Sequence, residues 1–379
     1  MRNTYLLLTL GLLGFSMSSQ AQITVTNTTF PVLGDTLYYA FDTSPDVFVF
    51  TPPGGNQNWD FSSLTADFTQ RQIFTSPSNG TAGADFPGAN LLYVNGTVEN
   101  YLQVTNQEVR LLGYYGADPV GIGFNAAIRY NPPIVERRAP IQFFDIKPAS
   151  SGVLFPFHPN VIPDAIRQRL PFTPDSLRIR IAINRTDVVD GYGNLTIPGG
   201  TYPVLREKRT QYREARLDAK VPPLGWLDVT DVAIQAAGLS SLGVDTTVTY
   251  NFFNNTSKEP IAIVTLNSDQ ATPRLVQYKS NRLRTDVTEV EAASPQVLAF
   301  PNPAAGKVQF RLNAVKAGQY RLKLYNVLGI EVFSENLQMP GGQFEMTLDL
   351  TKWEAGTYFY NLMDSQGIIS ATKQLVILK

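Results

Sequence analysis

The stretch from Ser176 to Val189, SLRIRIAINRTDVV, alternates with a period of two. Leu177, Ile179, Ile181 and Ile183 fall on one face, and Arg178, Arg180, Ala182 and Asn184 on the other. That period belongs to a half-buried antiparallel strand and is incompatible with a helix, whose apolar positions recur every three to four residues. The turn-rich stretch DGYGNLTIPGG follows, then a second long segment, TYPVLREKRTQYREARL. The two segments predict a long, twisted hairpin. Composition agrees: 28 Gly and 26 Pro punctuate a chain with 17 Tyr and 22 Phe, the mixture expected of strands joined by tight turns.

Further strand signals run from Ile23 to about Tyr278. Ile23, Val25 and Asn27 alternate with threonines, and Asp46–Phe50 is a short aromatic and β-branched run closed by Pro52-Pro53-Gly54-Gly55. Asn95-Gly96 marks a hairpin turn. Helical signal is thin: a short helix is expected at Pro163–Leu170, and VTDVAIQAAGL around Asp231 reads as helix or strand. The segment RLRTDVTEVEAASPQ, residues 282–296, lacks large aromatics and reads as a linker. After it come short strands at even intervals, starting at Val297–Phe300, Val308–Leu312, Tyr320–Tyr325, Glu331–Leu337, Phe344–Leu350, Gly356–Met363 and Ile368–Leu378. They predict a compact immunoglobulin-like antiparallel β-sandwich. The expected fold class is therefore all-β. A large N-terminal antiparallel unit, a curved sheet or a sandwich, covers 22–281, and the small sandwich covers 297–379.

Charge and cysteine content exclude several classes. The formal net charge is −1, so no global field favours nucleic acid. There is no cysteine, which removes disulfides, thiolate catalysis and thiolate metal sites. Residues 1–21 read as a secretory signal: Arg2, an apolar run from Leu6 to Phe15, and Ser19 and Ala21 at the small-residue positions, with cleavage expected between Ala21 and Gln22. No later segment is long and apolar enough for a transmembrane helix.

Four pieces of the last unit, FPNPAAGKVQF, YRLKLYNVLGIEV, LDLTKWEAGTYFYNL and KQLVILK, occur in this order. Together they resemble the type A C-terminal sorting domain of type IX secretion substrates in Bacteroidota. In the N-terminal region the segments GGNQNWDFSSL and VDGYGNLTIPGGTYPVLREK resemble stretches of uncharacterised secreted proteins of the same phylum. The resemblance implies export through the periplasm and the type IX translocon to the outer-membrane surface or the medium. It also implies a sortase-like peptidase that removes the domain and joins the new C-terminus to an anionic lipopolysaccharide. In that reading Pro301, Asn302 and Pro303 rigidify the start of the sandwich at a turn. Gly329 and Gly356 hold turn positions, Tyr358 belongs to the Leu-x-x-Gly-x-Tyr-like segment, and Lys373 and Lys379 place positive charge on the last strand. Trp353 stands where the family pattern has an aliphatic residue.

Chemistry is sparse in the N-terminal unit. His158 is the single histidine, so a zinc site lacks ligands, and no G-x-S-x-G elbow accompanies it. No motif nominates a catalytic residue, a metal site or a cofactor. Asp187 and Asp190-Gly191-Tyr192-Gly193-Asn194 read as a hairpin turn ahead of a calcium loop, because the oxygen ligands are not at alternating positions. Trp59 reads as a core residue ahead of a sugar platform. Arg206, Lys208, Arg209, Arg213 and Arg216 are interleaved with Glu207 and Glu214, and Arg178 and Arg180 lie on the expected partner strand. A solvated face with cross-strand ion pairs is one reading. The other is a ligand face made of Arg178, Arg180, Arg206 and Lys208 for an anionic glycan or lipopolysaccharide. The function expected is a secreted or cell-surface, non-enzymatic binding or structural protein; the alternative is a polysaccharide hydrolase. A converging acid pair in a cleft would favour the hydrolase, and an open aromatic face would favour binding.

Overall fold

The computed structural model describes residues 23–162, 173–237, 239, 241–280, 296–315, 317–326, 331–339, 342–364 and 372–378. The expected signal cleavage at Ala21 and Gln22, the helix at 163–170, all but the last residue of the linker, Gly329 and Lys379 lie outside them.

The chain is all-β. It opens with β1 (Thr36–Asp42), β2 (Gly54–Asp60) and β3 (Phe68–Ile73). A meander of β4 (Leu91–Asn95), β5 (Val98–Val104), β6 (Glu108–Ala117) and β7 (Asn125–Arg138) forms a separate four-stranded sheet. Then come β8 (Ile146–Phe157), β9 (Ser176–Ile197), β10 (Gly200–Val221), β11 (Gly225–Asp228), helix α1 (Thr230–Ala237), β12 (Gly243–Phe253), β13 (Ala262–Leu266) and β14 (Pro273–Lys279). The large sheet runs β2-β9-β10-β12-β13-β14-β1-β3, with β8 also on β9 and β11 also on β10. All its pairs are antiparallel except β2 with β9, which is parallel.

The long hairpin is β9 and β10, each of 22 residues. Its reversal is tighter than the sequence suggests. Residues 190–197 stay in β9 and only Pro198 and Gly199 separate the paired Ile197 and Gly200. The DGYG stretch is instead a bulge: Arg206 pairs with Gly191 and Glu207 with Val189, which leaves Asp190 as the extra residue. Leu177, Ile179, Ile181 and Ile183 are buried and share one core with Leu217, Ile128 and Val153. Each such side chain contributes roughly 1.5–3 kcal/mol by leaving water. The buried phase of β9 then continues through Arg185 and Asp187, where it changes from aliphatic to charged.

Two expected strands are absent from the ladders. Residues 23–28 make a single bridge, Val25 to Ile141. Residues 46–50 form no ladder; within them the Val49 carbonyl accepts from the Thr51 amide and from the buried Arg206. The segment around Asp231 is helical, and Asp228 accepts from the Thr230 amide at its start. The Asn95-Gly96 signal holds, with Asn95 paired to Val98.

Among its described residues the last unit has seven strands: β15 (Gln296–Ala305), β16 (Lys307–Val315), β17 (Gly318–Asn326), β18 (Glu331–Met339), β19 (Gly342–Asp349), β20 (Gly356–Asp364) and β21 (Lys373–Leu378). Their order is β18-β17-β20-β21-β15-β16-β19. Phe310, Leu312, Leu322, Leu324, Tyr360, Leu362, Leu375 and Ile377 alternate along strands of both halves of this path and pack into one core, so the path closes as a sandwich. β15 joins the halves. Its start pairs antiparallel with β16, and its end pairs parallel with β21, Ala304 opposite Ile377. Pro301-Asn302-Pro303 is thus not a turn that ends a strand. It is the part of β15 where pairing passes from one neighbour to the other.

Candidate functional site: a cleft under the large sheet and a clamped last strand

Strand order in the large sheet lines up residues far apart in sequence. Glu207 on β10 is opposite Asn251 on β12, which is opposite Ile263 on β13. Ile263 is opposite Gln277 on β14, and Gln277 is opposite Phe41 on β1. Directly paired residues point to the same face, so these side chains form one row. Alongside it, Tyr39 is opposite Gln70 and Leu37 is opposite Gln72. The four-stranded sheet supplies the facing wall with Tyr93, Asn95, Leu102, Val109 and Arg137. The cleft between them is about 320 Å³.

The cavity combines aromatic rings with carboxamides. Phe41 stacks on Phe68 at 4.6 Å and 8° at its edge. Phe74 and Tyr93 are 5.7 Å apart. Gln70 Nε2 donates to Asn95 Oδ1 at 2.8 Å, and Asn251 Nδ2 donates to Glu207 Oε1 at 3.0 Å. Burial raises the Tyr39 and Tyr93 phenols above their usual value, so both remain neutral hydrogen-bonding groups.

One end of the cavity is closed by charge. Arg209 donates Nε to Asp187 Oδ1 at 3.0 Å, Nη1 to Glu136 Oε2 at 3.3 Å and Nη2 to Glu207 Oε1 at 3.2 Å. Burial raises the Glu207 carboxyl above its usual range, while the Arg209 charge opposes that shift. Arg137 donates to the carbonyls of Thr29 and Lys258 at 2.9 and 2.8 Å and is pushed down to about 10 by burial. The three carboxylates meet on one guanidinium, and the space among these groups is about 20 Å³. That volume admits about one water molecule, not a sugar ring. Here the acids hold the two sheets together.

The residues expected to form a ligand face do not come together. Arg178 is opposite Asp218, whereas Lys208 is opposite Val188, ten residues further along β9. That separation is about 33 Å at strand rise. Arg178 Nη2 and Arg180 Nη2 both donate to Asp218, at 2.6 and 3.1 Å, and Arg178 lies over the Trp226 ring at 4.3 Å. Arg206 is a correction. It is 1% exposed and its donors are consumed by Asp190, Val49 and Thr51, so it faces the core and no ligand reaches it. Lys208 is half-buried beside Tyr250, 5.9 Å from the ring. Trp59 is buried, donating to Thr51 Oγ1 at 3.1 Å. His158 is exposed and accepts from the Asn160 amide at a loop turn. Asp187 and Asp190 accept from arginines, and among the described residues no group of three or more His, Cys, Asp or Glu side chains is placed to hold a metal ion. The cleft itself escaped sequence reasoning. The one local signal was that Arg185 and Asp187 continue the odd-numbered, buried phase of Leu177–Ile183.

In the last unit, Asn302 replaces what the flanking prolines remove. Proline has no N–H to give to a ladder. Asn302 Nδ2 donates to the carbonyl of Gln374 at 2.7 Å, and its Oδ1 accepts from the Val376 amide at 2.8 Å. This is the bond pair that a parallel strand residue opposite Leu375 makes with its backbone, and it fits the register of Ala304 with Ile377. Gly356 opens β20 opposite Ile377. Tyr358 donates to the Glu354 carbonyl at 3.0 Å and meets Trp353 edge-on at 5.2 Å, so the Trp occupies the aliphatic position against the core. Lys373 is half-buried on β21, and burial lowers its amine below the usual value.

Among the described residues no helix is long and apolar enough to cross a membrane. A search of curated proteins finds no match. One solved structure that aligns is that of PorZ, described as an essential bacterial surface component of the type-IX secretion system of human oral-microbiomic Porphyromonas gingivalis. The alignment covers 76% of this chain and 69% of that one, with 7% identity and a TM-score of 0.19, too slight a likeness to bear on fold or function. Residues 298–378 match the family described as the secretion system C-terminal sorting domain, so the sandwich that ends this chain is a C-terminal sorting domain of type IX secretion.

Proposed function

We propose that this chain is a non-enzymatic glycan-binding protein, delivered to the cell surface or the medium by its sorting domain, with its ligand held in the cleft under the large sheet. The sorting domain implies export by type IX secretion and contact with that machinery. Passage through the periplasm after cleavage at Ala21, and recognition by the translocon and a sortase-like peptidase, complete the proposal. Units at 22–281 and 297–379 divide the work between binding and address.

The observation that carries the binding reading is the wall chemistry of the 320 Å³ cavity. Phe41, Tyr39 and Tyr93 offer rings to the C–H face of a sugar, and Gln70, Gln72, Asn95 and Gln277 offer carboxamides to its hydroxyls. Glycoside hydrolysis needs two carboxyl groups roughly 5–10 Å apart about the scissile bond. Among the described residues lining this cavity the one carboxylate is Glu136, and Arg209 holds it.

Calorimetry of the mature chain against a panel of neutral oligosaccharides tests the proposal. At least one is expected to bind without being cleaved, and Phe41→Ala, a half-buried position, should weaken it about tenfold, the loss of one stacking contact and its buried area. Release of reducing ends would favour the hydrolase. Equal binding by the Phe41 variant would remove the cleft from consideration.

A further inference from the structure

A second cavity lies on the other side of the charge network, between β6, β7, β8 and β9. It measures about 420 Å³. Arg110, Arg138 and Arg185 stand in its wall against one carboxylate, Glu108. Their donors are far from satisfied. Arg110 gives Nε to Glu108 Oε2 at 2.6 Å, and among the described residues its two Nη groups have no acceptor. Arg138 gives Nη1 to Asp187 at 3.5 Å, and its Nε lies 3.7 Å from Glu108. Arg185 is 5% exposed; it gives Nη2 to the Val135 carbonyl, and its Nε lies 3.2 Å from Asp187 without a hydrogen bond. A buried guanidinium with unused donors at the wall of a cavity is costly unless something in the cavity accepts from it. Arginine forks match carboxylate and sulfate oxygens in geometry as well as charge.

We propose that this second cavity is a subsite for an oxyanion, a carboxylate or a sulfate ester, carried on a saccharide. An inorganic ion is smaller than the space. The remaining wall suits a sugar ring: Pro132, Pro133 and Ile134 form an apolar side, and Ser150 and Ser151 add hydroxyl oxygens. Both hydroxyls already donate, Ser150 to Asn184 and Ser151 to the Pro132 carbonyl, so toward a ligand they act as acceptors for its hydroxyl groups. The arginines that carry the anionic chemistry are therefore different from Arg178, Arg180, Arg206 and Lys208. The assignment rests on the chain being a saccharide-binding protein, but not on the Phe41 cleft.

The test is calorimetry of the mature chain at low salt with three probes of equal length: a uronic acid trimer, a sulfated neutral trimer and its unsulfated counterpart. Inorganic sulfate serves as control. At least one acidic trimer is expected to bind about tenfold more tightly than the neutral one, with affinity falling as salt rises. The half-exposed Arg110 allows a variant that keeps the fold. Arg110→Gln should remove most of the acidic preference, Arg110→Lys should restore part of it, and neutral binding in the Phe41 cleft should be unchanged by either. Preference for the uronate or for the sulfated probe identifies the oxyanion, and both support the site. Equal affinity for acidic and neutral trimers overturns it, as does an acidic preference that survives Arg110→Gln. Sulfate binding as tightly as the saccharides, an adventitious ion only, overturns it too. Loss of neutral binding alone removes the first cleft and leaves this subsite standing.

Discussion

Replacing Arg206 with methionine keeps its length and removes its donors. The guanidinium is 1% exposed, and its Cζ lies 5.3 Å from the ring centroids of both Trp59 and Tyr250. It bonds Asp190 at 2.7 Å, the Val49 carbonyl at 2.9 Å, Thr51 Oγ1 at 2.8 Å and the Thr51 carbonyl at 3.1 Å. Arg206→Met therefore strands a carboxylate whose side chain is 14% exposed, together with the Thr51 carbonyl, while the Val49 carbonyl keeps the Thr51 amide as a donor. Breaking a buried ion pair costs roughly 3–5 kcal/mol, and the partial exposure of Asp190 places this one near 3. The Thr51 carbonyl adds about 1 kcal/mol. The expected loss is about 4 kcal/mol. With a urea m-value of about 3 kcal/mol/M, the midpoint falls by more than about 1 M. Urea unfolding is followed by Trp59 fluorescence in a chain with Trp226 and Trp353 replaced by Phe. Adding Asp190→Asn should recover about half the loss, because it removes the stranded charge. A midpoint within about 0.3 M of the parent would refute this account and return Arg206 to the pool of ligand-binding residues.

Asp218 is buried, which raises its carboxyl, but the bonds from Arg180 and Arg178 pull it below the usual value. A depressed folded pKa gives stability that is present above about pH 4, the unfolded value, and lost as pH falls through the folded one. Asp218→Asn should lower stability by about 2 kcal/mol at pH 7, discounted because Arg180 is partly exposed, and flatten the acid limb of a thermal-unfolding pH series. Asn302→Ala removes both side-chain bonds to β21. Hydrogen exchange at the Val376 amide should accelerate at least about tenfold while β16 and β17 keep their protection, and the secreted fraction in the host should drop; unchanged exchange would mean that β20 alone holds the last strand.

Much of this protein was legible because its signals are local. Leu177, Ile179, Ile181 and Ile183 alternate within one strand, and Asn95-Gly96 reverses the chain within a few residues. The last unit's strands could be counted from turn chemistry, and its order of motifs pointed to a sorting domain. Local signals misled where a distant partner intervened. Asp46–Phe50 has strand propensity, yet its Val49 carbonyl is bound by Arg206, 157 residues away. The FPNP stretch looks like a turn, yet Asn302 finds Gln374 and Val376 and keeps the chain in a strand.

The cleft lies at the far end of this scale. Strand periodicity decided that Phe41, Glu207, Asn251, Ile263 and Gln277 each sit on one side of a sheet. It could not decide that they sit side by side. That follows from the order β10-β12-β13-β14-β1, which lays the last strand of the large sheet against the first. The four-stranded sheet then covers the row. Alternation is a property of neighbours along the chain, whereas convergence depends on which strands pair, and pairing is settled by the burial of whole faces at once.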